Sequence, residues 1–488
     1  MGDTEVAAEA DEKPNRPAAE GKPPFSPLHE VLFVALLCCT QLITQSAFGS
    51  VLVPLHVIGP SFGDLSAGEL SWFPAAYSLT VGTFVLIAGQ LGDIHGHRKL
   101  FVGGWLWFAL WSLLAGLTVY TASTVFFDVC RAMQGVGPAV LLPNSLAILG
   151  RAYAPGRRKD MVFALFASTA PTGFLCGAIF GSLLAEHVWW PWGFWITSIV
   201  CALISVLAVI VIPSESVART EDTPTFDSIG AILGVCGLVL VNFAWNQAPL
   251  VGWSTPYIGV ALATGLLSLA GFAWHESRIR HPLLPPEILK NGAAVCTMAC
   301  VALGWSSFGI WIYYTFQLME TLRGVTALEA AAQFIPETIS GTVAAVATGY
   351  ILSRVRLTYL MAVSLLAFTA GCVLSATVPV RQTYWANIFV TMVVMPWGMD
   401  MSFPASCLIL SNGVTRDRQG VAASLVNTIV NYSISVGLGI AGTVESRVNR
   451  HGDRVLTGYR AALYTSVGLS GLGLGLATFF AVRADVKR

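Results

Sequence analysis

Ionisable side chains inside long apolar runs are the residues of this sequence best suited to chemistry. Asp400 lies in the run VVMPWGMDMSFP, between Pro396 and Pro404. Each proline removes a backbone donor, so we expect a break in the helical hydrogen bonding and free carbonyls that line a cavity. Because a carboxyl group in a low dielectric binds a proton more readily, Asp400 is a candidate proton or cation site. The alternative is an acid that caps the polar backbone at the kink.

Two other apolar runs also carry charged residues. Arg131 lies in FFDVCRAMQGVGPAV, with Asp128 one helical turn before it, and Glu337 follows Pro336. A charge buried in a membrane is unfavourable unless an opposite charge or a cavity faces it. We therefore expect Arg131, Asp128 and Glu337 to join Asp400 as proton-coupling candidates. The alternatives are a structural pair of Arg131 with Asp128 near the outer mouth, and a Glu337 that lies only near the outer surface.

A short polar stretch, GQLGDIHGHRKL from Gly89 to Leu100, separates two uncharged runs. Its glycines allow helix ends to approach closely, and its charges can bind a neighbouring helix. The stretch therefore predicts a tight gating loop between two membrane spans, and an ordinary positively charged loop is the alternative. The gating residues are Gly89, Asp93, Gly96, Arg98 and Lys99.

Glycines and polar side chains inside the apolar runs predict helix packing and a substrate cavity. Gly173, Gly177 and Gly181 are four residues apart, which places them in one stripe suited to close helix contact. Aromatic rings with a polar edge suit an organic substrate, and aromatic residues at the membrane interface are the alternative. The candidate cavity residues are Gln41, Gln45, Asn144, Trp311, Tyr314 and Gln317.

Composition indicates an integral membrane protein. Of the 488 residues 55% are hydrophobic and 11% are charged, and the mean hydropathy is +0.68. The 27 basic residues balance the 27 acidic ones, so nothing suggests a nucleic-acid partner. The sequence contains no phosphate-binding loop, no cluster of metal ligands and no nucleophile triad. We therefore expect no enzyme activity, no metal and no cofactor, and energy from a proton gradient.

Apolar runs of spanning length number fourteen, which predicts an all-α integral membrane fold. LPNSLAIL from Leu142 and FPASCLIL from Phe403 form an internal repeat, which sets span four against span twelve. The layout is then six helices, two extra helices and six helices. The predicted domains are a disordered tail at 1–28, an N-terminal half at 29–212, a linker with the two extra helices at 213–290, a C-terminal half at 291–483 and a tail at 484–488.

Orientation follows from Lys and Arg. With the amino terminus inside, six of these 27 residues lie in outer loops, Arg131 lies in a span and the remaining twenty lie inside. This bias predicts that both termini are cytosolic. Four of the six outer residues precede the last span.

Several of these motifs resemble the major facilitator superfamily. DVCRAMQGVGPA resembles its fourth-helix signature, whose arginine is implicated in proton coupling, and GFLCGAIFG resembles its antiporter signature, with Ala178 and Ser182 where proline and glycine are usual. Gln90 stands where many members have a basic residue. The chain is similar to the fourteen-span drug:proton antiporter branch, in particular to fungal aminotriazole-resistance-type multidrug exporters. The remaining matching phrases are SWFPAAYSLTVGTFVL, GWLWFALWSL and WWPWGFW.

The resemblance implies a transporter with two pseudo-symmetric halves that work by alternating access. It also implies that Asp93 docks near Gln419 to Ala422. The expected function is proton-coupled efflux of a toxic organic compound, drug or secondary metabolite across the plasma membrane, with the vacuolar membrane as the alternative. A proton symporter or exporter of a small nutrient, organic acid or borate would share the fold, and a non-transporting sensor is a more remote alternative. The expected partners are a small-molecule substrate, protons and the lipid bilayer, and a monomer suffices.

Overall fold

The computed structural model describes residues 26–154, 156–213, 226–279, 282–284, 286–352, 354–414, 419–449 and 452–486. Within these ranges all regular secondary structure is helical. The predicted tails fall mostly outside the described residues, as does 214–225 of the predicted linker. The last helix nevertheless continues to Val486, beyond the predicted end of the C-terminal half.

The long helices are labelled α1 to α14. Thirteen helices of the described chain are long and apolar enough to cross a membrane. The exception, α10, has 17 residues, and the short helix Ala327–Gln333 precedes it with Phe334 between them. The bounds are α1 Pro27–Leu52, α2 Ala67–His95, α3 His97–Leu117, α4 Thr124–Ala152, α5 Arg157–His187, α6 Pro191–Val211, α7 Ser228–Val251, α8 Pro256–Glu276, α9 Gly292–Gln317, α10 Ile335–Ile351, α11 Leu357–Ala376, α12 Asn387–Ser411, α13 Gln419–Asn449 and α14 Val455–Val486.

The start and end of α2 show how local sequence sets a helix boundary. Ser66 accepts a hydrogen bond from the Glu69 N–H at 3.3 Å, and the Glu69 carboxylate accepts one from the Ser66 N–H at 2.8 Å. This reciprocal capping satisfies free donors of the first turn. At the other end, Gly96 has φ +95° and alone separates α2 from α3. The predicted gating loop is therefore helical apart from one residue whose backbone conformation favours glycine.

The predicted break at the prolines of α12 is wrong. The helix runs without interruption from Asn387 to Ser411, with Pro396 and Pro404 inside it. Each proline removes only one hydrogen bond of a ladder that has many, and packing against α11 and α10 supports this helix along its length. The helix is therefore continuous around Asp400, although each proline leaves the carbonyl oxygen four residues before it, that of Met392 or of Asp400, without a helical donor.

The helices form two bundles and a hairpin. The N-terminal bundle comprises α1 to α6, in which α1 packs on α5, α2 on α4 and α3 on α6. The C-terminal bundle comprises α9 to α14, in which α11 packs on α12 and α14, and α9 on α13 and α14. The hairpin comprises α7 and α8. The bundles meet along a seam where α2 contacts α13 and α5 contacts α10, and α7 also packs against α2 and α13.

Two ends of the molecule are named by the residues found there. The Asp93 side is the end at which α2 turns into α3, and the His56 side is the opposite end, where the chain passes from α1 to α2.

The glycine stripe of α5 lets two backbones touch. A Cβ atom on Gly173, Gly177 or Gly181 would lie only 2.3, 2.0 or 2.6 Å from the backbone of α1. The α1 residues involved are Leu42, Ser46 and Ser50, which repeat with the same four-residue spacing. Only glycine permits this separation, because the obstructing atoms belong to a backbone that cannot rotate away.

We expect Gly177→Ala to lower the stability of the purified protein by about 1–3 kcal/mol, the usual effect of overpacking. Its new methyl group would meet the Ser46 carbonyl oxygen at 2.0 Å. Gly103→Ala in α3 is the matched control, because nothing lies within 4 Å of its Cβ position. The helix propensity of alanine should leave the control unchanged or slightly more stable. Thermal unfolding in detergent measures both variants, and equal behaviour would contradict the close contact.

Candidate functional site

The fold brings two of the predicted carboxylates together. Glu337 lies in the first turn of α10 and Asp400 in the middle of α12, and these helices pack against each other. The Glu337 side chain is buried, and Gly341, one helical turn after it on α10, would place a Cβ atom 3.2 Å from Oδ2 of Asp400. Two neighbouring carboxylates in an apolar surrounding repel each other, so the arrangement favours protonation of one of them. We call Glu337 and Asp400 the acid pair.

The acid pair lies against the seam. A Cβ atom on Gly341 of α10 would be 3.2 Å from Asp400 Oδ2 and 3.8 Å from Cγ of Pro171 in α5. Asp400 therefore lies where the C-terminal bundle meets a helix of the N-terminal bundle. Among the described residues Asp400 Oδ2 is buried and has no hydrogen-bond partner, whereas Glu337 accepts a bond from the Thr338 hydroxyl at 3.5 Å. An unpaired carboxylate oxygen at this position is available to a proton or a substrate.

Arg131 is fully buried and is satisfied by neutral acceptors. Its guanidinium donates to the carbonyl oxygen of Phe73 at 3.1 Å, to that of Ala47 at 3.2 Å and to the side chain of Gln134. Its carbon atom also lies 4.6 Å from the centre of the Tyr77 ring. These contacts join α1, α2 and α4. A cation–π contact and three acceptors compensate much of the cost of burying the charge.

The predicted pair of Arg131 with Asp128 is not formed as an ion pair in the described chain. Arg131 donates to carbonyls and Gln134, and Asp128 Oδ1 is buried with no hydrogen-bond partner. The reason is local geometry, because the α1 and α2 carbonyls lie nearer to the guanidinium than the acid does. Asp128 is on the same helix as Arg131 but does not share its hydrogen bonds.

Gln41 and Gln45 lie one helical turn apart on α1 and are half-buried. On one side of them the carbonyl oxygen of Thr44 accepts a hydrogen bond from the hydroxyl of Tyr77 of α2 at 2.8 Å. On the other side Leu42 packs against Gly173 of α5. Because α2 and α5 are the helices that meet the C-terminal bundle, the two glutamines lie on the face of α1 nearest the seam. This position suits contact with a substrate between the bundles.

Asn144 is buried among α2, α3 and α4. Its side-chain oxygen is 2.7 Å from Nδ1 of His97, and its NH₂ group donates to the carbonyl oxygens of Val140 at 2.7 Å and Ala88 at 3.3 Å. Gly92 packs directly on this amide. Asn144 therefore links three helices beside the gating residues. It does not lie in the cavity position that the sequence suggests.

The gating residues contact both bundles. Asp93 Oδ1 lies 3.2 Å from Nε2 of His97 and forms an ion pair with Arg151 at the end of α4 at 3.3 Å. A Cβ atom on Gly89 would lie 3.7 Å from the hydroxyl of Ser424 in α13. Arg98 donates to the carbonyl oxygen of Val209, and Lys99 is exposed. Residues 415–418, just before α13, lie outside the described chain, so docking of Asp93 near Gln419 stays a prediction.

The predicted aromatic cavity residues pack inside the C-terminal bundle. The Trp311 indole N–H donates to the hydroxyls of Ser375 at 2.8 Å and Thr391 at 3.0 Å, on α11 and α12. The Tyr314 ring lies 5.7 Å from that of Tyr459 on α14. Gln317 is buried at the end of α9. These side chains pack α9 into its bundle. Their contacts do not support the predicted role at the substrate, which stays a prediction.

Sequence reasoning missed a polar contact across the seam on the His56 side. His56 Nδ1, just after α1, lies 2.7 Å from Oε2 of Glu320, in a single π-helical turn that ends α9. The Tyr313 hydroxyl donates to the Ala67 carbonyl oxygen at 2.5 Å, and the Leu328 N–H donates to Glu186 of α5 at 3.2 Å. These three contacts join the bundles at this end. Both His56 and Glu320 lie in or beside apolar runs, which is the signal that identifies Asp400.

Electrostatics strengthen the contact between His56 and Glu320. The hydrogen bond to the Glu320 carboxylate raises the pKa of His56, partial burial lowers it, and the negative charges of Glu320 and Glu186 raise it further. The pKa of His56 is therefore raised in the folded protein. Protonated imidazole opposite a buried carboxylate forms a charge-assisted hydrogen bond.

Comparison with known proteins places this chain among membrane transporters. A family model described as Major Facilitator Superfamily matches residues 35–438. The crystal structure of a POT peptide transporter in complex with sulfate superposes with a TM-score of 0.64, at 15% identity over 93% of this chain and 94% of that chain. At this identity the likeness concerns the fold alone.

Three curated relatives align over nearly the whole chain. The low affinity ammonium transporter of Saccharomyces cerevisiae is 54% identical over 95% of this chain and 91% of its own length. An efflux pump of Aspergillus terreus is 44% identical, over 94% and 90%. The aminotriazole resistance protein of Saccharomyces cerevisiae is 37% identical, over 94% and 85%.

We expect the contact between His56 and Glu320 to stabilise the protein near neutral pH and to weaken as pH rises further. The raised pKa of His56 contributes stability that begins to fall above the unfolded pKa of about 6.5 and is lost as pH passes the folded pKa. The difference in melting temperature between wild type and His56→Gln should therefore be larger at about pH 7 than at about pH 9. His187→Gln, at an exposed position, is the control. A difference that does not change with pH would contradict this electrostatic contribution.

Proposed function

Because this chain belongs to the major facilitator superfamily, we propose that it exports small organic compounds in exchange for protons, by alternating access between its two bundles. The observation that carries the proposal is the acid pair at the seam, in which Glu337 is buried and Asp400 is partly buried with its Oδ2 atom buried and unpaired. The relative named an efflux pump, 44% identical to this chain, supports the direction of transport.

The proposed topology has fourteen crossings, arranged as six helices, the hairpin and six helices. The helix Ala327–Gln333 and α10 together form the fourteenth crossing, with Phe334 between them. The excess of Lys and Arg on the Asp93 side supports a cytosolic position for that side and for both termini. We place the protein in the plasma membrane, where export removes a compound from the cell.

Proton coupling follows from the charge of the acid pair. Repulsion between two neighbouring carboxylates favours a state in which one of them is protonated, and loss of that proton leaves a negative site. When the seam opens to the outside, protons enter the pair. When it opens to the cytosol, the proton leaves and the site accepts a cargo whose polar groups face Asp400. Binding of proton and cargo at one place makes each reduce the affinity for the other.

Opening and closing of the seam requires the bundles to move relative to each other. On the His56 side the ion pair of His56 with Glu320, the Tyr313 hydrogen bond and the Leu328 hydrogen bond hold the bundles together. The outward-open state must break these contacts. The Arg131 network lies wholly inside the N-terminal bundle, so it can move as one unit with α1, α2 and α4.

We expect Asp400→Asn to abolish most of the stimulation of transport by a pH gradient, because the amide cannot exchange a proton. In inside-out vesicles with an imposed gradient, the stimulation of drug flux should fall about tenfold or more, the size of an ordinary coupling free energy. Glu337→Gln should have the same effect. Asp64→Asn, at an exposed position between α1 and α2, is the charge-matched control. Unchanged gradient-driven flux in Asp400→Asn would overturn the assignment.

Ammonium transport is the second candidate function. The relative that is 54% identical to this chain is named a low affinity ammonium transporter. The acid pair suits a small cation as well as a proton, because two carboxylates can accept hydrogen bonds from ammonium.

The two functions are distinguished by accumulation in cells that express the chain. For an exporter, cellular drug content should fall and methylammonium uptake should stay at the level of cells without the protein. For an ammonium transporter, methylammonium uptake should rise and drug content should not change. Glu337→Gln should remove whichever effect is observed, since both functions depend on the acid pair. An effect that persists in Glu337→Gln would exclude the acid pair as the site.

A further inference from the structure

A cavity lies between the hairpin and the seam, at a place separate from the acid pair. Its volume is about 320 Å³, and α2, α7, α8, α9 and α13 form its walls. This volume lies at the lower end of the range of roughly 300–1,000 Å³ found for small-molecule sites. Most of the wall is apolar, and representative lining residues are Leu86, Leu238, Phe272, Leu425 and Ile429.

Two buried carboxylates lie behind the wall of this cavity, next to Gly230 and Leu284 of its lining. Asp227, just before α7, and Glu276, at the end of α8, are 5% and 7% exposed. One oxygen of each is used within the protein. Asp227 Oδ1 accepts from the Gly230 N–H at 2.9 Å and lies 2.9 Å from Nε2 of His275, and Glu276 Oε2 accepts from the Leu284 N–H at 3.0 Å.

The other oxygen of each carboxylate has no hydrogen-bond partner in the described chain. Asp227 Oδ2 and Glu276 Oε1 are both buried and unpaired. They converge on one point, because a Cβ atom on Gly230 would lie 2.1 Å from the first and 3.0 Å from the second. Gly230 and Leu284 themselves line the cavity, so the unpaired oxygens lie directly behind its wall.

We propose that this cavity binds a protonated amine with an apolar body. Buried carboxylate oxygens without a partner are unfavourable, and an ammonium group supplies both the opposite charge and the missing donors. The apolar body would lie between the hairpin and the α2–α13 contact, where the wall offers aliphatic and aromatic side chains. The charged group selects an amine, and the apolar wall excludes bare ammonium as the preferred ligand.

The position of this site gives the occupant contacts with all three parts of the molecule. The wall includes α2 of the N-terminal bundle, α9 and α13 of the C-terminal bundle, and both helices of the hairpin. The proposal does not depend on the proposed function, because it concerns binding alone and not transport.

Binding of naphthylmethylamine to the full-length protein in lipid nanodiscs tests the proposal. Equilibrium dialysis compares it with naphthylmethanol and naphthoic acid, which keep the ring but are neutral or negative, and empty nanodiscs give the lipid background. We expect the amine to bind at least about tenfold more tightly than the alcohol. Asp227→Asn and Glu276→Gln should each weaken amine binding by about tenfold or more and leave alcohol binding unchanged. Asparagine keeps the cap on the Gly230 N–H, so Asp227→Asn should fold.

Two further variants separate this site from the acid pair. Gly234→Leu should fill the cavity and remove binding of both amine and alcohol; its Cβ would only touch the Phe272 ring, at 3.4 Å. Asp400→Asn should keep the component of amine binding that Asp227→Asn and Glu276→Gln remove. Loss of that component in Asp400→Asn would place the amine at the acid pair and overturn the proposal. Equal affinity for amine and alcohol, or unchanged amine affinity in Glu276→Gln, would also overturn it.

Discussion

A charge placed in an apolar layer needs a compensating partner, and this requirement organises the interior of the protein. Arg131 meets it with two backbone carbonyls, the amide of Gln134 and the ring of Tyr77, all within one bundle. The acid pair does not meet it with protein groups alone, because Asp400 Oδ2 stays unpaired among the described residues. The first arrangement is satisfied inside its bundle, whereas the second is the place at which we propose that a proton or a cargo binds.

Glycine brings two helices close together at one part of the seam. A Cβ atom on Gly82 of α2 would lie 2.7 Å from the Tyr432 nitrogen of α13, so these helices touch through their backbones. We propose that this backbone contact lets the two helices move on each other when the bundles move. The polar contacts on the His56 side are different, since the buried carboxylate of Glu320 must lose a partner before that end opens. The fold thus combines a close backbone contact between α2 and α13 with polar contacts between the bundles on the His56 side.

The cargo is determined by a few side chains and not by the fold. The same acid pair would accept a proton, ammonium or an organic amine, which is consistent with relatives named for ammonium transport and for efflux. Half-buried Gln41 and Gln45 on the opposite bundle add neutral donors and acceptors. The Asp227 and Glu276 carboxylates lie at a second place, behind the wall of an apolar cavity. The amine site that we propose is therefore separate from the acid pair.

The sequence alone determined the family, the membrane location of the helices and the ionisable residues that need explanation, because hydropathy and motif spacing are local properties. The recognition of the superfamily is confirmed by the family match over residues 35–438. Local patterns could not show that Arg131 donates hydrogen bonds to carbonyls of α1 and α2. They also could not show that the helix around Asp400 continues past two prolines, or that Trp311 lies inside its bundle. The meeting of Glu337 with Asp400, of His56 with Glu320 and of Asp227 with Glu276 also required the tertiary structure. Each of these contacts joins residues on different helices, and only the packing of helices decides which polar groups compensate one another.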